Sequence, residues 1–216
     1  MIGKLRLPLV LPAIALALTA LSSTAHAQAG AYGQVTVDRM SGIASSPILP
    51  AGIAYNNYVN PLGFTGGAFY DFKSFGPIRL GVDLRGSTIN AHRGAQANSD
   101  GPGTHIYSGL GGVRLSFHTP IKHIKPYVEG AAGIGRSNYG VLSNASVANF
   151  VNPGVQTISN LEYHGYAGVD LPFASFADWR VFEAGYGALQ SFGNASHTYP
   201  IMSISTGIVI HFPSLP

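Results

Sequence analysis

The stretch that decides the fold is Ser203-Ile204-Ser205-Thr206-Gly207-Ile208-Val209-Ile210-His211-Phe212. Thr206, Ile208, Ile210 and Phe212 fall on one face of a strand, and Ser203, Ser205, Gly207 and His211 fall on the other. Alternation with a period of two predicts a β-strand between two environments. Only residues 213–216 follow it, so we expect this strand to pair with the first one. That pairing closes a barrel and removes the exposed strand edges.

The first 27 residues differ from the rest of the chain. Lys4 and Arg6 precede an apolar run over residues 7–21, and Ala25-His26-Ala27 has the small-x-small pattern of a cleavage site. These features predict a secretory signal peptide cleaved before Gln28, with Ala27-Gln28-Ala29 as an alternative site. An uncleaved anchor is disfavoured because the run is short and interrupted by prolines. We therefore predict a signal peptide over residues 1–27 and a barrel domain over residues 28–216.

Composition indicates a membrane protein. Without the leader the formal net charge falls from +3 to about +1, which gives no reason to expect a nucleic-acid partner. Charged residues make up 10% of the chain, against about 25% in soluble domains. No later segment has the roughly 18 apolar residues of a membrane helix. Low charge, 28 glycines and 11 tyrosines are typical of a membrane barrel, in which alternation dilutes the apolar residues.

Eight segments carry the strand pattern. They cover residues 32–40, 64–72, 78–88, 105–117, 126–136, 160–171, 179–190 and 203–212. Phe69, Leu110 and Val181 fall on the polar face of their segments. The packed interior of a small barrel tolerates a few such apolar side chains.

The connections between these segments alternate in length. Long connections cover residues 41–63, 89–104, 137–159 and 191–200, and short ones cover residues 73–77, 118–125 and 172–178. Membrane barrels have short periplasmic turns and longer extracellular loops. The sequence thus predicts an all-β, eight-stranded antiparallel up-and-down transmembrane barrel with both termini in the periplasm. The alternative of a secreted soluble barrel reverses the two faces.

Charges in mid-strand indicate which face lies inside. An Arg or Lys facing lipid near the bilayer midplane costs about 2–4 kcal/mol, so we expect the polar face to line the lumen. The predicted lumen charge network consists of Arg79, Asp83, Arg85, Arg114, Glu129, Glu162 and Glu183. A hairpin symmetric about residues 121 and 122 places Arg114 opposite Glu129, where the two can form an ion pair. Eight strands leave room only for side chains, so we predict a plugged lumen.

Aromatic residues on the apolar face lie near the predicted strand ends. Membrane barrels have such aromatic girdles, because these rings suit the boundary between lipid and headgroup. The predicted outer girdle contains Phe64, Tyr107, Tyr163 and Tyr186, and the predicted periplasmic girdle contains Tyr70, Phe72, Phe117 and Phe212.

The pattern Ser205-x-Gly207-x-x-Ile210-x-Phe212 resembles the C-terminal assembly signal of bacterial outer-membrane barrels, although that signal normally ends at its aromatic residue. In its leader, its eight alternating strands, its alternation of long and short connections and this signal, the chain resembles the small outer-membrane barrels of the OmpA transmembrane-domain, OmpX and opacity-protein type. The resemblance implies export to the bacterial outer membrane, contact with phospholipid and lipopolysaccharide, and insertion by the barrel-assembly machinery. The peptidoglycan-binding domain of the OmpA type has no counterpart after Phe212, so cell-wall anchoring is not inferred.

The expected function is structural, adhesive or surface-recognising, through the loops at residues 41–63, 89–104 and 137–159. The alternatives are a conduit for small solutes or hydrophobic ligands and, less favoured, a lipid A-modifying enzyme. Catalysis needs a nucleophile within reach of an oriented base, for which Ser196-His197 and Glu162 with His164 are the candidates. No segment resembles the lipid A deacylases or palmitoyltransferases, so we predict no enzymatic activity.

We also predict no cofactor and no metal site. His118 and His123 share a turn with Lys122 and Lys125, but no spacing places ligands on one rigid element. These basic turn residues are expected to meet phospholipid headgroups.

Overall fold

A computed structural model describes residues 28–42, 56–93, 103–120, 123–139, 157–192 and 197–212. Its strands are β1 (Gln28–Ser41), β2 (Tyr58–Val59), β3 (Leu62–Phe75), β4 (Ile78–Asn90), β5 (His105–Phe117), β6 (Lys125–Ser137), β7 (Ile158–Pro172), β8 (Ala177–Ser191) and β9 (Thr198–Phe212). The described residues include no helix that is long and apolar enough to cross a membrane.

The sheet closes on itself. From β3 onwards each strand pairs antiparallel with the next one, β1 pairs with β3, and β9 returns to pair with β1 from Ala29 opposite Phe212 to Met40 opposite Ile201. Strands β1 and β3–β9 therefore form a closed eight-stranded up-and-down barrel, as the sequence predicted. Closure leaves none of these strands with a free edge.

The structure differs from the predicted strands mainly at two places near the loop connections. The two-residue strand β2 pairs with the end of β1 inside a segment that was predicted to be all loop. Strand β9 begins at Thr198 instead of Ser203, because residues 198–202 continue the ladders with β8 and β1. The last loop is therefore 192–197, which is no longer than the turn 118–124 at the opposite end. The predicted alternation of loop lengths thus fails at this last connection.

The two ends of the barrel differ. At the turn end lie the connections 76–77, 118–124 and 173–176, together with the start of β1 and the end of β9. At the loop end lie the four other connections, and the residues 43–55, 94–102, 140–156 and 193–196 of those loops are outside the described part of the chain. The tightest turn is Gly76-Pro77, where Gly76 has a φ of 60°, as the primed turns of two-residue hairpins require.

The predicted direction of the two faces is confirmed. On β4, Val82 and Leu84 are 41% and 69% exposed on the outer surface, whereas Asp83 and Arg85 are 1% and 6% exposed. The same alternation runs along β1, where Val35 is exposed and its neighbour Gln34 is buried. Apolar side chains thus cover the outside of the barrel and polar ones fill the lumen, which is the arrangement of a membrane barrel.

Strand β8 contains a bulge that changes which residues face inward. Arg180 pairs with Gly207 and Glu183 with Ser205, so Val181 and Phe182 oppose the single residue Thr206. The extra residue shifts the alternation, and Arg180 and Glu183 are both buried to 1% exposure. Strict alternation had placed Val181 on the polar face. A similar irregularity between Asp71 and Lys73 bends β3 near the turn end.

Candidate functional site

The lumen is filled by side chains that form layers of different character. Along β1 from the turn end, these are Gln28, Tyr32, Gln34, Thr36, Asp38 and Met40. The series passes from amide and phenol to hydroxyl, carboxylate and finally a fully buried thioether. We name the resulting layers, from the turn end, after their main residues. They are the seam chain around Gln28 and His211, the arginine layer around Arg85 and Arg180, the hydroxyl cavity around Thr36, and the apolar cap around Met40.

The arginine layer lies in the middle of the lumen, and Arg85 is its first cation. Its Nη2 lies 2.8 Å from Glu129 Oε2, its Nη1 lies 3.2 Å from Glu183 Oε1, and its Nε lies 3.5 Å from Asp83 Oδ1. All four side chains are almost completely buried. Burying charges costs several kcal/mol per ion in desolvation unless partners compensate, and here one guanidinium contacts three carboxylates.

Arg180 and Arg114 share the second half of this layer. Arg180 binds Asp170 through a fork, with Nε 2.9 Å from Oδ1 and Nη2 3.3 Å from Oδ2, a geometry that suits the planar guanidinium. Its Nη1 also lies 3.4 Å from Glu183 Oε2. Arg114 donates to the same Asp170 Oδ2 over 3.1 Å. Glu183 and Asp170 therefore each hold two arginines.

Aromatic rings pack against these arginines. The guanidinium groups of Arg114 and Arg180 lie 4.0 and 4.6 Å from the ring centroid of Tyr127, whose hydroxyl donates to Glu183 Oε2 over 2.5 Å. Arg85 lies 3.8 Å from the centroid of Tyr166, and the Tyr32 hydroxyl donates to Asp83 over 2.7 Å. Cation–π contacts gain strength when they are desolvated. The result is a continuous plug of rings and ion pairs.

Not all residues of the predicted lumen charge network lie in the arginine layer. Arg114 and Glu129 are directly opposite in the ladder, as expected. The expected ion pair between them does not form, because Arg114 reaches across to Asp170 while Glu129 accepts from Arg85. Arg79 lies nearer the turn end and donates to Gln28 Oε1 over 2.8 Å. Glu162 lies nearer the loop end and accepts from Ser108.

Sequence reasoning missed Arg180 and Asp170 in this layer. Strict alternation placed Arg180 on the lipid face, and only the bulge at Val181 turns it inward. One signal was available. An arginine between Trp179 and Phe182 on an apolar face would cost about 2–4 kcal/mol in lipid, which itself argues for a bulge at that point.

The hydroxyl cavity lies between the arginine layer and the loop end. Seven of its fifteen lining residues carry hydroxyl groups, and Thr36 Oγ1 bonds both Thr65 Oγ1 at 2.8 Å and Ser205 Oγ at 2.9 Å. The cavity measures about 20 Å³, which is room for about one water molecule. Among the described residues it is therefore too small to be a passage for solutes.

The apolar cap closes the lumen at the loop end. It is a cluster of almost completely buried side chains from β1, β2, β5, β8, β9 and the residue that follows Asn138, and it consists of Met40, Val59, Ile106, Tyr139, Leu189, Tyr199 and Ile201. The rings of Tyr139 and Tyr199 meet edge to face with centroids 5.3 Å apart. Burial of these side chains stabilises the loop end. The apolar cap thus blocks the lumen at a second level, in addition to the arginine layer.

The seam chain crosses the lumen at the turn end. Asp178 Oδ2 accepts from Lys125 Nζ at 2.7 Å and lies 2.6 Å from His211 Nε2. His211 Nδ1 lies 2.9 Å from Gln28 Nε2, and Gln28 in turn accepts from Arg79. The chain links β6, β8, β9, β1 and β4, and so it fastens side chains across the junction where the barrel closes.

Solved structures of other proteins share this barrel geometry. The chain is similar to Neisserial surface protein A, with 14% sequence identity over 87% of this chain and 98% of that one, and a TM-score of 0.54. The chain has the fold of the small eight-stranded outer-membrane barrels.

Two further structures were found at lower similarity. Ail, the attachment invasion locus protein of Yersinia pestis, is 16% identical over 86% of this chain and 98% of that one, with a TM-score of 0.44. OprG of Pseudomonas aeruginosa is 13% identical over 86% and 95%, with a TM-score of 0.43. No protein-family profile matches the sequence, and no curated protein matches it either.

All eight aromatic residues of the predicted girdles lie on the outer surface of this outer-membrane barrel fold. Phe64, Tyr70, Tyr107, Tyr163, Tyr186 and Phe212 are exposed, and Phe72 and Phe117 are half-exposed. The structure adds exposed rings at the turn end that were not predicted, namely Phe75, Phe173, Phe176 and Trp179. Their contact with a membrane interface stays a prediction.

The predicted assembly signal has a defined place in the barrel. Ser205 is buried and faces the lumen, where its hydroxyl bonds Thr36, whereas Ile210 and Phe212 are exposed on the outer surface. Gly207 pairs with Gln34 on β1, so the signal lies on the strand that closes the barrel.

The two histidines weighed as catalytic bases lie in different places. His164 is buried in the lumen, where Nε2 lies 3.0 Å from Glu162 Oε1 and the ring stacks on Tyr166. His197 lies in the last loop, where Nε2 is 2.8 Å from the carbonyl oxygen of Gly42. The suggested nucleophile Ser196 is outside the described residues.

Proposed function

We propose that the protein is an outer-membrane barrel whose role is structural, adhesive or surface-recognising, exerted through the loops at its loop end. The observation that supports this proposal is the closed lumen. The arginine layer and the apolar cap each fill the cross-section with buried side chains. A barrel whose lumen conducts no solute must act through its outer surface and its loops.

The arginine layer is also a reason to expect a permanently closed barrel. Three guanidinium groups and four carboxylates are held within one desolvated network. Opening a path would separate buried ion pairs, and breaking such a pair typically costs about 3–5 kcal/mol. Because an open path requires several such pairs to separate together, open states of the plug are only rarely populated.

The proposal includes the topology in the cell. The signal peptide over residues 1–27 exports the chain, the turn end and both termini face the periplasm, and the loop end faces outward. Ser205, Gly207, Ile210 and Phe212 form the signal that the barrel-assembly machinery recognises. The eight barrel strands have 13 to 15 residues, which exceeds the roughly 9–11 that span a bilayer. The excess length carries the apolar cap to the level of the outer headgroups.

We also propose that the protein is not an enzyme. His164, the candidate base in the lumen, contacts Glu162 through Nε2, and its Nδ1 has no hydrogen-bond partner among the described residues. This arrangement lacks the bond between nucleophile and base on which activation depends. His197 makes contacts that join the last loop to Gly42 and Ser191. These contacts give His197 a structural role.

Conductance separates this proposal from a small-solute conduit. We expect the refolded barrel to give no current steps above baseline in planar bilayers at moderate voltage, because both layers block the lumen. An added channel-forming peptide shows that the same membrane reports single channels. Reproducible unitary currents from the barrel, absent in protein-free membranes, would contradict the closed lumen and favour the conduit.

A further inference from the structure

The charges on the outside of the barrel are strongly asymmetric. The chain has nine acidic residues, and eight of them are buried in the lumen: Asp38, Asp71, Asp83, Glu129, Glu162, Asp170, Asp178 and Glu183. The ninth, Asp100, lies in a part of a loop outside the described residues. The exposed surface that the structure describes therefore carries cations with no carboxylate to neutralise them.

Two of these cations mark the upper limit of the apolar band. On β1 the outward side chains are Val35, Val37 and then Arg39, and on β6 they are Ile134 and then Arg136. Both arginines are exposed and lie close to the loop end of their strands. An outward arginine within hydrocarbon is costly, so both belong at the level of the lipid headgroups.

Each of these arginines is accompanied by an exposed tyrosine. The Arg39 guanidinium lies 4.2 Å from the ring centroid of Tyr58, which is 48% exposed. Arg136 is directly opposite Tyr107, which is 49% exposed, and its Nη2 lies 3.5 Å from Thr157 Oγ1. Tyrosine rings favour the interface between hydrocarbon and headgroup.

The turn end carries a different type of cation. Among the described residues, the exposed outward cation at this end is Lys73, near Phe75. Lys125 lies on the lumen face of β6 and is neutralised by Asp178. Arginine presents a planar fork that matches two oxygens of a phosphate, whereas lysine acts as a point charge. The two ends of the barrel therefore differ in their suitability for phosphate binding.

We propose that Arg39 with Tyr58 and Arg136 with Tyr107 are two contact sites for the phosphate groups of lipid A in the outer leaflet. They lie on strands that are not neighbours in the barrel, so each site holds its own lipid molecule. This inference rests on the proposed outer-membrane location, and it adds the lipid class and the residues that recognise it. Guanidinium–phosphate hydrogen bonds are charge-assisted and hold the barrel at a fixed depth.

The test measures how lipid A protects the folded barrel against heat. Purified barrel in neutral detergent receives increasing amounts of diphosphorylated lipid A, dephosphorylated lipid A or phosphatidylcholine, and the folded fraction is read from heat-modifiable gel migration. A ligand that binds only the folded state raises its stability according to concentration and affinity. We expect diphosphorylated lipid A to protect the wild-type barrel, and the double variant Arg39→Gln/Arg136→Gln to need about tenfold more of it.

The matched control is Lys73→Gln, which removes an exposed cation at the turn end and should behave like the wild type. If the double variant fails to fold, Arg39→Lys and Arg136→Lys replace it, and each should give a smaller loss. Equal protection by dephosphorylated lipid A, equal protection of the double variant, or full protection by inorganic phosphate would each overturn the proposal. None of these results depends on conductance, so the proposal of lipid A sites and the proposal of a closed lumen are tested independently.

Discussion

Replacing Glu183 with Leu is expected to lower the free energy of unfolding by about 3–5 kcal/mol, the largest effect of any single change considered for this barrel. Glu183 accepts from Tyr127 and Gln34 and also neutralises Arg85 and Arg180. Leucine leaves both guanidinium groups buried with fewer carboxylates. The measurement is the folded fraction against urea in vesicles, read from the gel migration of unheated samples.

Two controls separate the lost charge from a general effect of mutation. Glu183→Gln keeps the volume and one acceptor oxygen but removes the charge and replaces the other oxygen with an NH2 donor, so it should still lose less stability than the leucine variant. Ile204→Leu exchanges one exposed apolar side chain for another on β9 and should change stability by less than about 1 kcal/mol. A leucine variant at position 183 as stable as the Ile204 control would show that the arginine layer does not stabilise the barrel.

Replacing Gly168 with Ala is expected to destabilise the barrel by about 1–3 kcal/mol, the usual cost of overpacking. A Cβ atom on Gly168 would lie 2.5 Å from Cζ and Oη of Tyr127. We expect the ring to resist displacement, because Glu183 binds its hydroxyl and two arginines lie within 4.6 Å of its centroid. The urea experiment used for Glu183 measures this loss.

Gly165 on the same strand provides the matched control. A Cβ atom there meets nothing within 4 Å, so Gly165→Ala should be nearly neutral. Equal stability of the two alanine variants would show that Tyr127 is free to move and that the plug is less rigid than its contacts indicate.

Much of the fold follows from residue alternation. In β4 the switch between Leu84 and Arg85 is enough to assign the two faces, because a charge in lipid is costly. Strand β5 has the predicted limits His105–Phe117. The limits of β9 were harder to predict, because Thr198 to Met202 lack strict alternation and join the sheet only through partners on β8 and β1.

The lumen was less predictable than the outer surface. Ladder register placed Arg114 opposite Glu129, but a long guanidinium can reach across the lumen, so adjacency in the ladder does not fix its partner. Arg180 was missed because one extra residue at Val181 reverses the alternation. The seam chain depends on His211 and Asp178, which lie far apart in sequence and meet only after the barrel closes.

The orientation of the side chains is the central claim, and lipid quenching tests it most directly. In nanodiscs that contain nitroxide lipids, the side-chain NMR signals of Gln34, Val35, Thr36 and Val37 are quenched when the side chain lies close to lipid. We expect strong quenching at positions 35 and 37, which face outward, and weak quenching at 34 and 36, which face the lumen. Uniform quenching at all four positions, or strong quenching at 34 and 36 alone, would contradict the account.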